Sequence, residues 1–379
     1  MTYPDQAAGS QVVSITGLFG LPTPDPEEVR VEVIKSSEIW QCPPPRVLLG
    51  GSDESPEIKS LARSHDCESV PVYVAEIRDA LVSPKGLVFT SQGKLVMETI
   101  FPWELKNFRN QFSPDLENSQ DTIAALRSGA DAAEDWSEMV LCREGGEVGY
   151  FHFVNSILPR VGLLKKANIE ETIPVSISGY KAFAKSAIEK LQIKNPVCAH
   201  NWRKVSRLLY LCPFTLQGSH YSRPPFAAEL IRELNISQSA DVGTTKIYVS
   251  RSDANVRRLT NEDAILNSPR FSGFNVVKAA DMSWSDQLAL FGECRVLMGA
   301  HGAGLANMAF MPAGGTIVEI LSPARLWPTF KAMAARHGHS YYCVVGDGYD
   351  TSQTAQRRGG NEDFSCSREL VDAVLVETK

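Results

Sequence analysis

Apolar and polar segments alternate regularly from residue 246 to the C-terminus. The short apolar runs are rich in β-branched residues and predict strands, and the longer amphipathic segments between them predict helices. The predicted strands are Lys246–Arg251, Phe274–Lys278, Val296–Gly299, Thr316–Leu321 and Ser340–Val345. The predicted helices are Thr260–Leu266, Ser283–Glu293, Ala303–Phe310, Trp327–His337 and Arg368–Val376. Strands that alternate with helices at this spacing indicate a parallel, doubly wound sheet.

The first 240 residues show a less regular pattern. Prolines interrupt the apolar runs of residues 1–70, which we interpret as an N-terminal extension with short strands at about 29–34 and 47–49. In the strand-like stretch that follows, two β-rich runs flank Ser91-Gln92-Gly93 and predict a hairpin. Residues 121–138 fit an exposed helix or loop, and helical patterns follow at about 153–166, 179–191 and 223–234.

The length of 379 residues suits two domains of ordinary size. After the extension (1–70) we expect an N-terminal domain (71–240) and a C-terminal domain (241–379). An apolar fraction of 43% and a charged fraction of 22% are typical of a soluble globular protein. The net charge of -6 argues against general binding to nucleic acid or to an anionic membrane, so no nucleic-acid partner is expected.

The N-terminal residues show no signal peptide, and no apolar run is long enough to span a bilayer. For a full-length chain this predicts a cytoplasmic location without a transmembrane segment, whereas an ectodomain cut from its anchor would look the same. The eight cysteines are scattered without a C-x-x-C pair. This spacing favours reduced, mostly buried thiols over zinc ligands or disulfides.

A glycine-rich loop with His301 at its centre joins a predicted strand to a predicted helix. Gly299, Gly302 and Gly304 allow unusual φ values and a close approach of the backbone to a ligand. Backbone N–H groups and a helix N-terminus at such a loop can bind a phosphate, at the strand end where open α/β sheets bind ligands. A tight structural turn is the alternative. The oxyanion loop of a lipase-like hydrolase also runs H-G-x-G, but that fold needs a G-x-S-x-G elbow, which the chain lacks.

Glu319 interrupts the otherwise apolar strand T-I-V-E-I-L. A carboxylate there is costly unless it is paired or placed at the ligand end of the strand. We expect Glu319 to accept hydrogen bonds from ribose hydroxyls, as acidic residues do in dinucleotide folds. A salt-bridged residue at the sheet edge is the alternative.

Three arginines follow the first strand of the C-terminal domain. Arg251, Arg257 and Arg258 lie in the segment R-S-D-A-N-V-R-R. A guanidinium group fits phosphate oxygens bidentately, and its position at the strand end favours Arg251 over Arg258 as a phosphate ligand. The alternative is a set of surface arginines that pair with Glu262 and Asp263.

His152 and Asn155 lie among aromatic and aliphatic residues in G-Y-F-H-F-V-N-S-I-L-P-R. A cleft histidine with a pKa near neutrality could deprotonate an acceptor hydroxyl, and a structural hydrogen bond is the alternative. If the histidine is structural, a cleft carboxylate such as Glu147 or Asp253 is the better candidate for the base. No D-x-D triplet occurs in the chain. Because that triplet commonly holds the metal of sugar-nucleotide enzymes, arginines and backbone N–H groups would neutralise the diphosphate here, which predicts metal-independent transfer.

Three segments, in this order, resemble the signature of glycosyltransferase family 61. They are Y-F-H-F-V-N-S-I-L-P-R from residue 150, Y-V-S-R-S-D-A-N-V-R-R-L-T-N-E from residue 248, and M-G-A-H-G-A-G-L-A-N-M-A-F-M-P-A-G-G-T-I-V-E-I from residue 298. The resemblance implies an α/β protein with a GT-B-like fold, in which two Rossmann-like domains face a cleft. It also implies inverting transfer from a nucleotide sugar, which is a co-substrate, with no separate cofactor.

By position, the resemblance places donor-binding residues in the C-terminal domain and acceptor-side residues in the N-terminal domain. The donor side comprises Arg251, Arg257, His301, Gly302, Ala303, Gly304 and Glu319, and the acceptor side comprises Asn155 and Arg160 beside the candidate base His152. The family's histidine is usually followed by a tryptophan and an acidic residue. This chain departs from that pattern, with Phe153 and Asn155–Ser156 in those places.

The resulting prediction is an inverting, metal-independent glycosyltransferase with a UDP-linked donor and a glycan or other hydroxyl acceptor. The resemblance implies capsule or lipopolysaccharide synthesis for bacterial members and modification of proteins or wall xylan for eukaryotic ones. Because no signal peptide or anchor is visible, we expect a role in bacterial surface polysaccharide synthesis. The alternative is a catalytically inactive nucleotide-sugar-binding protein of the same fold.

Overall fold

The chain divides into two compact units. Unit 1 comprises Met1–Glu38 and Ser69–Leu234, and unit 2 comprises Ile39–Glu68 and Asn235–Lys379. The computed structural model describes residues 12–17, 21–51, 55–100, 119–128, 133–144, 146–179, 181–198, 201–214, 221–236, 243–349 and 361–378.

Both units contain strands and helices. In chain order the strands are β1 (Val12–Val13), β2 (Val29–Lys35), β3 (Ile39–Cys42), β4 (Val47–Leu49), β5 (His65–Glu68), β6 (Val72–Val82), β7 (Val88–Phe89), β8 (Leu95–Val96), β9 (Glu134–Leu141), β10 (Val175–Ser176), β11 (Pro196–Val197), β12 (Arg203–Leu211), β13 (Thr245–Val249), β14 (Phe274–Val277), β15 (Cys294–Ala300), β16 (Thr316–Leu321), β17 (Ser340–Val345), β18 (Gly348–Tyr349) and β19 (Phe364–Ser365). The α-helices are α1 (Pro56–Ala62), α2 (Ser119–Ser128), α3 (Tyr150–His152), α4 (Leu158–Lys166), α5 (Ala182–Lys190), α6 (Phe226–Glu233), α7 (Glu262–Leu266), α8 (Trp284–Gly292), α9 (Thr329–His337) and α10 (Arg368–Glu377). A π-helical segment, Phe153–Ile157, joins α3 to α4, and 3-10 helices occur at Met97–Thr99, Pro269–Phe271, Ala279–Asp281 and Ala303–Phe310.

Unit 2 is built on a parallel sheet with the strand order β14-β13-β15-β16-β17-β4. The five strands that follow residue 243 have the order 2-1-3-4-5, which is that of a doubly wound, flavodoxin-like sheet. The chain direction across this sheet reverses between β13 and β15. In open α/β sheets, ligands bind outside the carboxyl ends of the strands at such a switch point.

The core of unit 2 explains why its strands are evident in the sequence. Strands β15, β16 and β17 are almost wholly buried, as expected for parallel strands covered by helices on both faces. On one face α10 adds Val371 and Val374 to a cluster with Tyr248, Val318 and Val344. The five strands and the helices predicted here are confirmed to within a few residues at each end, although Ala303–Phe310 is a 3-10 helix.

The segment assigned to an N-terminal extension is divided between the two units. Residues 39–68 lie in unit 2, where β4 pairs in parallel with β17 as an edge strand of the sheet. Residues 29–35 form β2 of unit 1, which pairs antiparallel with β6. The boundaries 1–70, 71–240 and 241–379 therefore differ from the observed grouping, because pairing with a distant strand is not visible in a local sequence pattern.

Unit 1 contains a mixed sheet. Strands β12, β9, β10 and β11 run parallel to one another, and the long strand β6 pairs antiparallel with β12 on one edge and with β2 and β7 on the other. The predicted hairpin is confirmed as β7 and β8, with Gly93 in its turn at a φ of 79°. The three predicted helical regions correspond to Tyr150–Lys166, α5 and α6.

Two central strands of unit 1, β9 and β12, were not predicted from the sequence. Their first halves read E-D-W-S-E and R-K-V-S-R, which lack apolar alternation. Ion pairs hold these halves together across the sheet, with Arg203 3.1 Å from Glu134 and Arg207 2.7 Å from Glu138. Cross-strand charge pairs therefore replace the hydrophobic pattern on which the prediction depends.

The α/β fold class is confirmed, and the GT-B arrangement stays a prediction. All eight cysteines are free, and seven of them are buried, as expected. Within the residues that the structure describes, no helix is both long and apolar enough to cross a membrane.

Candidate functional site

The loops after β13 and β15 meet at the switch point of unit 2. A Cβ atom on Gly299 would lie 2.8 Å from the carbonyl oxygen of Val249, and one on Gly304 would lie 2.7 Å from the side chain of Val249. A Cβ on Gly302 would lie only 1.9 Å from Nη1 of Arg251. None of these glycines has a positive φ. The expectation of unusual φ values is therefore wrong, and the glycines are needed because the loop packs directly on β13 and on Arg251.

Arg251 comes two residues after β13, and its guanidinium group lies against Gly302. Its Nη2 donates to the carbonyl oxygen of Val256 at 2.9 Å, and its Nε donates to that of Arg257 at 3.4 Å. Burial lowers the pKa of the Arg251 guanidinium. Arg251 thus lies against the glycine-rich loop, as its assignment to the donor side implied. The hydrogen-bond acceptors of its guanidinium group are neutral backbone carbonyl oxygens.

Arg257 has the left-handed backbone conformation, with a φ of 55°. Its Nη1 donates to Oδ1 of Asn361 at 2.9 Å, and Nη1 of Arg325 donates to the same oxygen at 3.0 Å. Burial, followed by the charges of Arg325 and Arg251, lowers the pKa of Arg257 to about 10. Sparsely populated backbone conformations cost about 1–3 kcal/mol and concentrate at functional sites. Arg251, Arg257 and Arg325 form a positively charged group, in which the charges of Arg325 and Arg251 oppose that of Arg257.

Arg258 is neutralised by a carboxylate, unlike its neighbour in the chain. Its Nε and Nη2 donate to Oδ2 of Asp363 at 3.0 and 2.8 Å, and its backbone N–H donates to Oδ1. Glu262, one of the partners considered from the sequence, instead accepts hydrogen bonds from Tyr248, Ser250 and the backbone of Arg251. The structure therefore separates Arg258, which is ion-paired, from Arg251 and Arg257.

Glu319 is fully buried and has both carboxylate oxygens occupied. Oε1 lies 2.5 Å from Nδ1 of His301, and Oε2 accepts a hydrogen bond from the hydroxyl of Tyr341 at 2.5 Å. Burial, together with the Glu319 charge, raises the pKa of the Tyr341 hydroxyl well above its usual value. The expectation that Glu319 binds ribose hydroxyls is therefore corrected. Its carboxylate lies inside the sheet and orients His301.

The ring of His301 is held on several sides. It packs against Phe330 and Trp327, with centroid distances of 5.1 and 6.5 Å, and the guanidinium of Arg325 stacks on Trp327 at 3.5 Å. No residue within the described ranges forms a hydrogen bond with Nε2 of His301. With Nδ1 directed at a carboxylate, Nε2 is the nitrogen available to a ligand.

An amide network that was not predicted holds the 3-10 helix Ala303–Phe310 in place. Nδ2 of Asn307 donates to Oε1 of Gln287 at 3.0 Å and to the carbonyl oxygen of Gly304 at 3.1 Å. Nε2 of Gln287 donates in turn to the carbonyl oxygen of Ala279 at 2.9 Å. A buried asparagine inside an apolar helix was the signal in the sequence, because buried amides need partners.

His152 of unit 1 lies at the end of α3, and its side chain is 34% exposed. Burial lowers its pKa, the Arg223 charge also lowers it, and the Glu144 carboxylate raises it. Nδ1 lies 3.9 Å from Oε1 of Glu144, which is longer than a hydrogen bond. A lowered pKa keeps the imidazole neutral at pH 7, as a general base requires, and the catalytic role of His152 stays a prediction.

The other two acceptor-side residues lie in the interior of unit 1. Asn155 is buried within the π-helical segment, a distortion that is frequent at functional sites. Arg160 is also buried, and it donates to the carbonyl oxygens of Cys212 and Arg143 at 3.1 and 3.0 Å and lies 3.3 Å from Glu144. The expectation that Arg160 faces an acceptor is therefore corrected, because its bonds tie the ends of β9 and β12 together.

A group of charged residues follows β9, and from the sequence only Glu147 was considered, as an alternative base. Arg143 donates to Oε1 of Glu147 from Nε at 2.8 Å and from Nη2 at 2.6 Å, and burial raises the pKa of Glu147. Arg223, which precedes α6, is also buried and donates to the hydroxyl of Ser156 at 3.0 Å. An R-E pair directly after the apolar run M-V-L-C was the available signal, because it marks the carboxyl end of a strand.

Among the residues described in the structure, no group of three or more histidine, cysteine, aspartate or glutamate side chains is placed to hold a metal ion. Metal independence stays a prediction.

Comparison with known proteins finds one family model and several curated relatives. Residues 150–318 match the model described as Glycosyltransferase 61. The chain is 26% identical over 101 residues to the mouse EGF domain-specific O-linked N-acetylglucosamine transferase, covering 25% of this chain and 19% of the relative. It is 31% identical over 100 residues to an Arabidopsis thaliana beta-1,2-xylosyltransferase, covering 23% and 19%. The chain thus spans about a fifth of the length of these relatives, and the resemblance drawn from its three motifs is confirmed.

Proposed function

We propose that this chain, which carries the glycosyltransferase family 61 signature over residues 150–318, transfers a sugar from a UDP-linked donor to a hydroxyl acceptor. The family and the named relatives support a glycosyltransferase. We further propose an inverting, metal-independent reaction that serves bacterial surface polysaccharide synthesis. The observation that carries the proposal is the pair Arg251 and Arg257 at the switch point of unit 2, where both cations have neutral hydrogen-bond acceptors.

The electrostatics of this pair suit a nucleoside diphosphate. Burying a guanidinium costs free energy unless an anion compensates its charge. Asp363 compensates Arg258, whereas the side chains of Arg251 and Arg257 donate to carbonyl and amide oxygens. The carboxylates of Asp253, Glu262 and Asp363 favour the charge of Arg251, but among the described residues none of them accepts a hydrogen bond from its guanidinium. A diphosphate would add negative charge and would accept the bidentate hydrogen bonds that arginine favours.

His301 adds a directed hydrogen-bonding group to the same site. Glu319 holds Nδ1, and Tyr341 holds the second oxygen of Glu319, so the orientation of the imidazole is fixed before a ligand binds. Nε2 of His301 is then the ring nitrogen that can form a hydrogen bond with the bound donor.

The transfer itself is a single displacement. The oxygen of the acceptor hydroxyl bonds to the anomeric carbon, the bond from that carbon to the diphosphate breaks, and a base takes the hydroxyl proton. Arg251 and Arg257 stabilise the charge that develops on the departing diphosphate. His152 is the proposed base, because burial and Arg223 keep its imidazole neutral.

Calorimetric titration with UDP and UDP-sugars tests the donor site. Arg251→Gln should weaken UDP binding about 30-fold, which corresponds to about 2 kcal/mol for a charge-assisted hydrogen bond. The matched control is Arg258→Gln, which removes a charge already neutralised by Asp363 and should leave UDP affinity unchanged. Equal losses in the two variants would contradict the assignment. UDP binding without transfer or donor hydrolysis would instead indicate the catalytically inactive alternative.

A further inference from the structure

Arg223 is a buried cation of unit 1 that forms no ion pair with a carboxylate among the described residues. Its side chain belongs to a residue that is 6% exposed, and its hydrogen bond runs from Nη2 to the hydroxyl of Ser156. Its Nε has no hydrogen-bond partner among the residues described in the structure. Burial lowers the pKa of Arg223 to about 10, against the opposing effect of the Glu144 carboxylate.

The two carboxylates of this region lie closer to other cations than to Arg223 in the ion pairs that the structure describes, although Oε1 of Glu144 has no hydrogen-bond partner among the described residues. Glu147 accepts two hydrogen bonds from Arg143, and Glu144 lies 3.3 Å from Arg160 and 3.9 Å from His152. Three guanidinium groups are thus placed against two carboxylates. Removing an uncompensated charge from water costs several kcal/mol, so an anion that reached Arg223 would be strongly stabilised.

The surroundings of Arg223 include exposed side chains as well as buried ones. Its guanidinium lies 5.9 Å from the ring of Phe151, which is only half-buried. The neighbouring His152 side chain is 34% exposed. Solvent therefore reaches the residues beside Arg223, at the position where His152 would meet an acceptor hydroxyl.

We propose that Arg223 binds an oxyanion, a carboxylate or a phosphate, that the sugar acceptor carries close to its reacting hydroxyl. This inference rests on the proposed function, because it assigns acceptor binding to unit 1. The unpartnered Nε and the Nη2 edge form the fork that fits two oxygens of one anion. Ser156 accepts from Arg223, so its own hydroxyl hydrogen is available as a third donor.

The test uses His152 as a local reporter in the full-length chain. Histidine-labelled protein is titrated by NMR with glucuronate, with glucose 1-phosphate and with neutral glucose, and the His152 signal is assigned with the variant His152→Gln. Because the Arg223 charge lowers the pKa of His152, an anion bound to Arg223 should raise that pKa. We expect this response to glucuronate or to glucose 1-phosphate, and none to glucose. The responding arm shows whether the group is a carboxylate or a phosphate.

Two variants locate the response. Arg223→Gln should raise the pKa of His152 without any ligand and should weaken the responding anion about 10- to 100-fold, the scale of a lost charge-assisted hydrogen bond. Arg223→Lys keeps the charge but not the fork, so it should keep the low pKa of His152 and still bind the anion more weakly. Arg207→Gln, which removes a half-exposed arginine paired with Glu76 and Glu138, is the control and should leave the response intact.

Some results would overturn the proposal. They are the absence of a His152 response to both anions, an equal response in Arg223→Gln, or a response to UDP alone, which would assign the anion to the donor. The variant Arg251→Gln separates this result from the donor site, because it should weaken UDP binding and leave the sugar-anion response unchanged. The experiment thus distinguishes an anion site at Arg223 from the donor site at Arg251, so the two proposals can fail separately.

Discussion

The two units place charged side chains at the same position in their sheets, the carboxyl ends of parallel strands, but they compensate those charges differently. In unit 2, Arg251 and Arg257 donate to neutral oxygens, while Glu319 is committed to His301 and Tyr341. In unit 1, Arg143 is held by a carboxylate. The contrast is the basis for our proposal that unit 2 binds a ligand with several negative charges. Unit 1, apart from Arg223, is closer to electrostatic balance, which suits a hydroxyl acceptor and a neutral base.

The largest expected effect comes from His152 in unit 1. His152→Gln should lower turnover about 100- to 10,000-fold, the usual contribution of a general base, and should leave UDP affinity unchanged. Single-turnover rates and calorimetric UDP affinities measure the two quantities separately. Near-normal turnover would show that the histidine is structural, and the buried carboxyl of Glu147 would become the better candidate.

The next effect concerns Arg257 in unit 2. Arg257→Gln should weaken UDP binding about 10- to 100-fold, because it removes a cation that lacks a carboxylate partner. Arg258→Gln is adjacent in the chain and serves as the control. If both variants bind UDP like the wild type, then UDP affinity does not depend on whether an arginine has a neutral or an ionic hydrogen-bond partner in the free protein.

A smaller effect, on the free energy of unfolding, is expected when the hydrogen bond from Tyr341 to Glu319 is removed. Tyr341→Phe removes only the hydroxyl and leaves a buried carboxylate oxygen without its partner, which should lower the free energy of unfolding by about 1–3 kcal/mol. Tyr342→Phe is the matched control, because the Tyr342 hydroxyl is exposed and makes only a 3.3 Å bond to Glu377. Urea denaturation of both variants checks this difference, and equal stabilities would show that the Tyr341 bond contributes little.

The pH dependence of turnover should reflect the lowered pKa of His152. Burial and Arg223 shift this pKa below its usual value of 6.5, so the base is neutral at pH 7 and becomes protonated only as the pH falls through the lowered pKa. The rate should therefore be constant near pH 7 and should fall on the acid side below pH 6.5. An acid limb with its midpoint above pH 7 would contradict this assignment.

The smallest effect is expected from chelation. Because arginines in unit 2 would neutralise the diphosphate, transfer should proceed at the same rate with and without EDTA. The assay compares the two rates after extensive dialysis. A loss of activity that Mn²⁺ or Mg²⁺ restores would mean that the arginines are not sufficient.

The sequence predicted unit 2 better than unit 1 for a physical reason. Buried parallel strands such as β15 and β16 read as continuous apolar runs, and the loops at their ends are short. Strands β9 and β12 are stabilised in part by ion pairs across the sheet, which a local pattern does not reveal.

The location of a site residue could be predicted where its position at the end of a strand is sufficient to place it. Arg251 comes two residues after β13, so its proximity to the loop at Gly302 could be expected from the parallel sheet. The hydrogen bond between Tyr341 and Glu319 could not be predicted, because Tyr341 lies on another strand and only the sheet register brings its hydroxyl to the carboxylate. Arg223 gave no periodic signal, and its importance depends on which carboxylates other arginines already occupy.

A crystal structure of the protein with UDP would show whether the donor diphosphate binds at the switch point of unit 2. We expect diphosphate density in contact with the guanidinium groups of Arg251 and Arg257 and with Nε2 of His301. Diphosphate bound only by the arginines of unit 1, with the loop at Gly302 empty, would contradict it.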